Sequence, residues 1–232
     1  MGSIDVKKLV MEVYDAIAEG YQHIRARPWS IVGRVRRCEE VVDVGCGTAV
    51  QPTPLLRRGG YGLCIDISRG MLLMGRRRLL RMGLYDRADL VQADAEHLPL
   101  RSSSVECLIS IATLHHLPGG SRRSAVEEFT RVLKRGGRLL VTVWALYQPR
   151  FLIGLLANLF RYLLGSTPSP KDFLVPWRRG GRRYLRYYHV FTLGELLKLF
   201  RVCRDLEVLE YGVYNLKRTI FHQNYYVLGF KK

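Results

Sequence analysis

The chain has 232 residues, 48% of them hydrophobic and 25% charged, which is the composition of a globular protein and excludes a disordered or fibrous one. That length suits one α/β domain with an elaboration rather than two independent units. The net charge is +17, and 29 of the 37 basic residues are arginine; the balance favours a nucleic-acid partner, with a surface made basic for solubility or heat as the bland alternative.

The first apolar run, Val41-Val42-Asp43-Val44, breaks into Gly45-Cys46-Gly47-Thr48. A strand ending in Asp-x-Gly-x-Gly reads as a nucleotide-binding turn, because glycine lets the backbone bend sharply and approach a ligand. Val50 stands where a dinucleotide site needs its third glycine, so NAD and FAD are disfavoured against an adenosyl cofactor. The second run, Gly62-Leu63-Cys64-Ile65, ends in Asp66, roughly 20 residues after the glycines, where a carboxylate accepts hydrogen bonds from ribose hydroxyls. Ile67 follows it on the same rim. The run Arg76 to Arg81 reads as part of a helix whose Leu72, Leu73, Leu79 and Leu80 face the sheet while Arg76, Arg77, Arg78 and Arg81 face solvent. The third run, Asp89 to Ala93, ends in Asp94-Ala95, a carboxylate for the adenine amino group and an alanine for its ring.

A fourth run, Val105 to Ile111, leads into Ala112-Thr113-Leu114-His115-His116-Leu117; the four runs in this order resemble the class I S-adenosylmethionine-dependent methyltransferases, and that resemblance implies that a methyl acceptor sits here. The Asn- or Asp-Pro-Pro-aromatic tetrapeptide suited to amine methylation and the Cys nucleophile suited to pyrimidine carbon methylation are both missing there. A carboxylate acceptor fits, since it is ionised at neutral pH without a general base. His115 and His116 then orient the acceptor or stabilise charge, with one of the two expected to be a core residue. Beyond them, 151–164 is an apolar stretch interrupted by Asn158 and Arg161, too short to cross a membrane and read as an amphipathic helix under a lid. Gly165 to Pro170 reads as a surface loop. The cysteines, Cys38, Cys46, Cys64, Cys107 and Cys203, contain no Cys-x-x-Cys pair and read as reduced core residues, with no metal site. Without a signal peptide the expected location is the cytoplasm.

The resemblance to the class I methyltransferases covers a core of about 38–145. Further blocks sharpen the likeness: Tyr14-Asp15-Ala16-Ile17-Ala18-Glu19 through Arg25-Ala26-Arg27-Pro28-Trp29, Ile109-Ser110-Ile111-Ala112 to His115-His116, Val143-Trp144-Ala145-Leu146, Phe173-Leu174-Val175-Pro176-Trp177 and Arg186-Tyr187-Tyr188-His189-Val190-Phe191, of which the Pro-Trp and Arg-Tyr-Tyr-His blocks lie outside that core. Together they are similar to the tRNA wobble-uridine carboxymethyl methyltransferases, including the methyltransferase domain of the AlkB-homologue tRNA hydroxylases. The resemblance implies a Rossmann-like fold: a mostly parallel seven-stranded sheet, helices on both faces and a lid inserted after strand five. It implies an N-terminal helical cap (1–37), a cofactor core (38–146), a lid (147–190) and a C-terminal helix and strand pair (191–232). The reaction implied is methyl transfer from S-adenosylmethionine to the carboxylate of 5-carboxymethyluridine, or of a related acidic uridine, at the wobble position of the tRNA anticodon.

Carried onto this chain, Tyr14, Asp43, Gly45, Cys46, Gly47, Thr48, Asp66, Ile67, Asp94, Ala95 and Ile111 form the cofactor site. His115 and Arg25 are the catalytic candidates. The substrate side comprises Arg25, Arg27, His116, Trp177, Arg183, Arg186, Tyr187 and His189, with Trp29 and Trp144 as further stacking surfaces. The resemblance also implies a small zinc-binding activator protein docked on the outer strand 88–93, supplying any zinc itself. Two other readings stay open: a small-molecule O- or C-methyltransferase sharing the same core, and a non-catalytic RNA-binding subunit.

Overall fold

The structure, a computed structural model, describes residues 5–24, 27–35, 38–179, 181–216 and 220–232. Helix α1 (Val6–Ile24) precedes five strands: β1 (Glu40–Val44), β2 (Tyr61–Asp66), β3 (Ala88–Gln92), β4 (Val105–Ile111) and β5 (Leu133–Trp144). These strands are parallel, and the central ones are continuous apolar runs because helices cover both of their faces. The connections carry α2 (Thr53–Leu56), α3 (Arg69–Arg81) and α4 (Ser121–Val132). After β5 come α5 (Pro149–Leu163) and a separate hairpin of β6 (Asp172–Arg179) with β7 (Arg182–His189). Helix α6 (Leu193–Arg201) and the strands β8 (Leu206–Tyr214) and β9 (Asn224–Lys231) close the chain.

The main sheet has seven strands in the order β3-β2-β1-β4-β5-β9-β8, with β9 antiparallel to both of its neighbours. The order reverses at β1, which pairs with β2 on one side and β4 on the other. Ligands of such sheets bind beyond the carboxyl ends of the strands at that reversal. Adjacent residues of a strand feed opposite cores, so Leu108 packs with Phe129, Leu196 and Phe200 while Ile109 packs with Leu56, Leu72 and Leu79. Each large side chain buried this way contributes about 1.5–3 kcal/mol.

Helix α3 starts at Ser68, whose hydroxyl accepts from the Met71 N–H. Its buried face is Met71, Leu72, Met74, Gly75 and Leu79; Leu73 and Leu80, expected to face the sheet, are exposed. A helical period of about 3.6 residues cannot bring two adjacent leucine pairs wholly onto one stripe. The 151–164 stretch also differs from expectation: Phe151 and Asn158 turn inward, whereas Ile153, Leu156 and Phe160 are 78%, 76% and 64% exposed. Asn158, which reads in the sequence as an interruption, donates from Nδ2 to the Asp172 carbonyl at 2.7 Å and ties α5 to the hairpin. Among the described residues no helix is long and apolar enough to cross a membrane.

Not all five cysteines are free thiols. Cys38 and Cys107 form a disulfide with 6.2 Å between their Cα atoms, while Cys46, Cys64 and Cys203 are free and buried. Cys38 lies just ahead of β1, and β4 runs alongside β1. Sheet pairing, not spacing in the chain, brings those two together.

Candidate active site

At the reversal point the backbone itself forms a cradle. Gly45 and Gly47 adopt φ of +76° and +53°, a region costly for residues with a Cβ. A Cβ on Gly45 would stand 2.7 Å from Thr113 Cβ, with the rest of that side chain closer still. Thr113 Oγ1 in turn donates to the Gly45 carbonyl at 3.3 Å. Ala112, beside it, holds φ of +58°, fixed by Thr142, whose carbonyl and Oγ1 accept from the Ala112 N–H at 3.0 and 2.9 Å. Strained backbone of this kind persists where the surroundings over-determine it.

The cradle opens into a cleft of about 1020 Å³, space open to solvent included. Gly45, Cys46, Gly47, Thr48, Asp66, Ile67, Asp94, Ala95, Ile111 and Tyr14 line it. Asp43 stands behind the cradle, 1% exposed, with neither carboxylate oxygen bonded. Burial, helped by the nearby Asp66 charge, pushes it well above the usual carboxylate range.

Asp66 accepts from the Gly47 N–H on Oδ2 at 2.7 Å and from the Ser68 N–H on Oδ1 at 2.9 Å. Burial pushes it up to about 6, against the lowering effect of those same backbone donors. Asp94 accepts from the Glu96 N–H at 3.0 Å and from Lys7 Nζ at 2.8 Å. Burial raises it, but those donors and the lysine charge prevail and hold it below the ordinary value. Lys7 also pairs with Glu96. Sequence reasoning missed Lys7 and Thr142, which sit in no motif, and gave Thr113 no role within its block; 87 residues separate Lys7 from Asp94.

The two histidines part company. His115 is 1% exposed, stacked on Tyr188 at 5.0 Å, with its Nδ1 facing the Trp144 N–H at 3.4 Å, and it lies off the cleft. His116 lines the cleft. Both belong to the 3-10 turn Leu114–His116, where one residue rotates the side chain by about 120°. His116 Nδ1 is 2.9 Å from the Tyr187 carbonyl, which can only accept, so that nitrogen carries the proton. In the neutral ring Nε2 then accepts from the Tyr14 hydroxyl at 2.8 Å. Burial pushes the Tyr14 phenol well up, consistent with a hydroxyl that donates.

The remaining substrate-side residues spread over the hairpin. Tyr187 is buried against Val10, Tyr14 and Met71. His189 is buried with Nδ1 2.7 Å from Asp172 Oδ1 and Nε2 2.8 Å from Glu195 Oε1, an anchor at the hairpin base rather than part of the cleft. Trp177 packs on Tyr21, with 5.8 Å between ring centroids. Arg186 is 8% exposed between Trp177 and Tyr188, whereas Arg178 and Arg183, paired across the hairpin, are exposed. Arg27 is exposed; Arg25 lies outside the described residues. Trp29, 5% exposed, lines the cleft, and Trp144 packs on Tyr188 at 4.4 Å. No group of three or more His, Cys, Asp or Glu among the described residues is placed to hold a metal.

A glycine cradle with carboxylates at two neighbouring strand ends suits the methionine, ribose and adenine parts of S-adenosylmethionine. Comparison with known proteins bears directly on this. Residues 42–141 match the family model described as a methyltransferase domain. A solved SAM-dependent methyltransferase from Methanosarcina mazei superposes with a TM-score of 0.73 at 21% identity, over 88% of this chain and 98% of that one. Its fold is that of the class I S-adenosylmethionine-dependent methyltransferases. Its sequence is 28% identical to the tRNA (carboxymethyluridine(34)-5-O)-methyltransferase of Schizosaccharomyces pombe, over 88% of this chain and 90% of that protein. It is 35% identical to the Arabidopsis thaliana protein of the same name, over 61% of this chain but only 34% of that protein. Similarity to the ubiquinone/menaquinone biosynthesis C-methyltransferase UbiE of Pseudomonas fluorescens, 33%, is confined to 55% of this chain.

Proposed function

We propose that this protein esterifies the carboxylate of 5-carboxymethyluridine at the wobble position of tRNA. The observation that carries this reading is the extent of the fission yeast likeness. It spans 88% of the chain, more than a match confined to the cofactor core would reach, while the quinone-methyltransferase likeness stops at 55%. The acceptor is therefore inferred from the whole protein, including the hairpin that covers α1.

When bound, S-adenosylmethionine supplies a methyl on a cationic sulfur, which an anionic oxygen takes by in-line displacement to leave the neutral thioether. The protein's part is to hold and exclude. Gly45, Gly47 and Thr113 shape the cradle, Asp66 accepts from ribose hydroxyls, and Asp94 and Ala95 flank the adenine. Tyr14 and Tyr187 cover the methionine end, and His116 fixes both through its two nitrogens. Exposed Arg27, Arg178 and Arg183 contact tRNA phosphates, and residues 147–190 act as the acceptor lid. The activator protein adds a strand along β3, an outer strand of the sheet. A cytoplasmic location completes the reading.

The test is incubation of the protein, alone and with the zinc-binding activator, with labelled S-adenosylmethionine and tRNA, followed by mild alkali. Label released as methanol is the expected result. Alkali-stable label on tRNA would overturn the acceptor, and absence of label from tRNA in both arms would overturn the tRNA reading.

A further inference from the structure

Next to His116 stands an aromatic wall that carries two guanidinium groups and no acid. Arg186 lies over Trp177 at 4.8 Å and over Tyr188 at 5.1 Å. Arg150 lies over Trp144 at 4.4 Å and over Phe151 at 4.5 Å. Trp144 and Tyr188 touch each other, and Tyr188 meets His116 edge-on at 4.6 Å, so one ring separates Arg186 from the cleft-lining His116 and two separate Arg150 from it. Neither arginine forms an ion pair with a described residue; Arg150 donates only to the neutral Gln148 Oε1 at 3.0 Å, and the buried Arg186 Nε has no partner. Asp172, the first acid in the chain after Glu128, is occupied by His189.

Arg186 is more than nine-tenths buried. A desolvated charge without a counter-charge is costly, and removing one partner of a buried pair is strongly destabilising for that reason. Burial against the wall, with the Arg186 charge adding to it, holds Arg150 below the ordinary arginine range. The Arg186 charge is also felt at Tyr14 on the rim of the cleft. The two guanidiniums thus belong to one aromatic wall, behind the end of the cleft that Tyr14 and His116 close, and lie near enough for one charge to act on the other. The guanidinium fork is planar by its own delocalisation and the aromatic wall orients it, the geometry that binds an oxyanion in bidentate fashion.

We propose that Arg150 and Arg186 form a clamp for the carboxylate of the methyl acceptor, selecting an acidic uridine over neutral ones. This rests on the wobble-uridine reading above and names the residues that read its charge. Arg150 is not among the sequence candidates, because its neighbours in the chain are apolar and its partner lies 36 residues away across α5 and the hairpin. A backbone phosphate is the competing anion. The position against Trp144, Tyr188 and His116, and not among the exposed Arg178 and Arg183, favours the carboxylate.

The test compares tRNA carrying 5-carboxymethyluridine with the same tRNA carrying the neutral 5-carbamoylmethyl group. Binding to each is measured by fluorescence anisotropy for the wild type, Arg150→Met and Arg186→Met, which keep an apolar stem on the wall, and Arg186→Lys. Calorimetry with S-adenosylhomocysteine establishes that each variant keeps a folded cofactor site. The wild type should prefer the carboxymethyl tRNA by tenfold or more. Each Met variant should lose most of that preference while binding the carbamoylmethyl tRNA as before, and Arg186→Lys should keep part of it. Preference retained in the Met variants overturns the clamp, and so does an equal loss for both tRNAs, which means a phosphate contact. If the wild type itself forms no ester on the carboxymethyl tRNA, the functional reading has failed, a result separate from either.

Discussion

Asp66→Ala tests the cofactor assignment most directly, because the carboxylate does two jobs that separate in measurement. In the folded protein it accepts from Gly47 N–H and Ser68 N–H. Deleting it strands two donors, at about 1–3 kcal/mol for each fully buried one, but also removes a desolvated carboxylate. The second effect offsets part of the first, so we expect a net loss of about 1–2 kcal/mol, a fall in Tm of roughly 2–8 °C for a chain of this size. Affinity for S-adenosylhomocysteine should fall further. One hydrogen bond from a hydroxyl to an ionised acceptor is worth about 1.5–3 kcal/mol, or about 10- to 150-fold in Kd. The pH dependence adds a second signature. Burial pushes Asp66 up to about 6, so wild-type affinity should weaken as pH falls through that value and the carboxylate becomes protonated. Asp66→Ala should lack the inflection. Titration calorimetry between pH 5 and 8, with thermal melts alongside, reads all three quantities; a variant Kd within threefold of wild type with the inflection intact would refute the assignment.

Gly45→Ala must place a Cβ against Thr113 at a φ of +76°. Backbone strain of about 1–2 kcal/mol and overpacking of about 1–3 kcal/mol should together lower Tm by roughly 4–20 °C and abolish measurable cofactor binding; an unperturbed melt would count against the cradle geometry. Arg178→Gln with Arg183→Gln should reduce the log–log salt slope of tRNA binding by about 0.7 for each phosphate no longer neutralised, and an unchanged slope removes the hairpin tip from the RNA surface. Acid stability should depend on Glu195, which burial pushes up but the His189 and Lys171 contacts hold down to about 2. Its folded value lies below the unfolded value of about 4.3, so its contribution is fully present above about pH 4.3 and is lost as pH falls towards 2. Melts of Glu195→Gln should therefore vary less with pH across that window than wild-type melts; parallel curves would contradict the anchor.

What can be read in the chain is local. Three acids at strand ends and two glycines in one turn carry their meaning within a few residues, since strand, turn and helix start are short-range events. Most of the residues lining the cleft come from those stretches. What escapes is tertiary. Lys7 reaches Asp94 only because α1 folds across the open end of the sheet, and Cys38 meets Cys107 only because β1 and β4 pair. His115 and His116 are indistinguishable as letters; a 3-10 turn points one at the core and the other at the cleft. Arg186 resembles its neighbours Arg182 and Arg183 in the chain, yet strand geometry buries it and leaves them exposed.

The cleft also bears on the nature of the acceptor, independently of any relative. A hydroxyl or amine acceptor carries a proton that must leave, and the carboxylates and the histidine lining the cleft are already committed. Asp66 holds two backbone donors, Asp94 is paired with Lys7, and His116 has Nδ1 bound to a carbonyl and Nε2 to the Tyr14 hydroxyl. Burial, with Cys64 close by, pushes the Cys46 thiol well up. Among the described residues no carboxylate or histidine of the cleft is therefore left uncommitted to serve as a general base, and geometry is the first requirement for one. An ionised carboxylate needs none, because it arrives at neutral pH with its lone pair free. What it needs is a positive surface to hold it, and the Arg150 and Arg186 guanidiniums on the aromatic wall behind His116 provide two cations without a described counter-charge. The scarcity of bases and the surplus of cations at one end of the cleft point to the same class of acceptor.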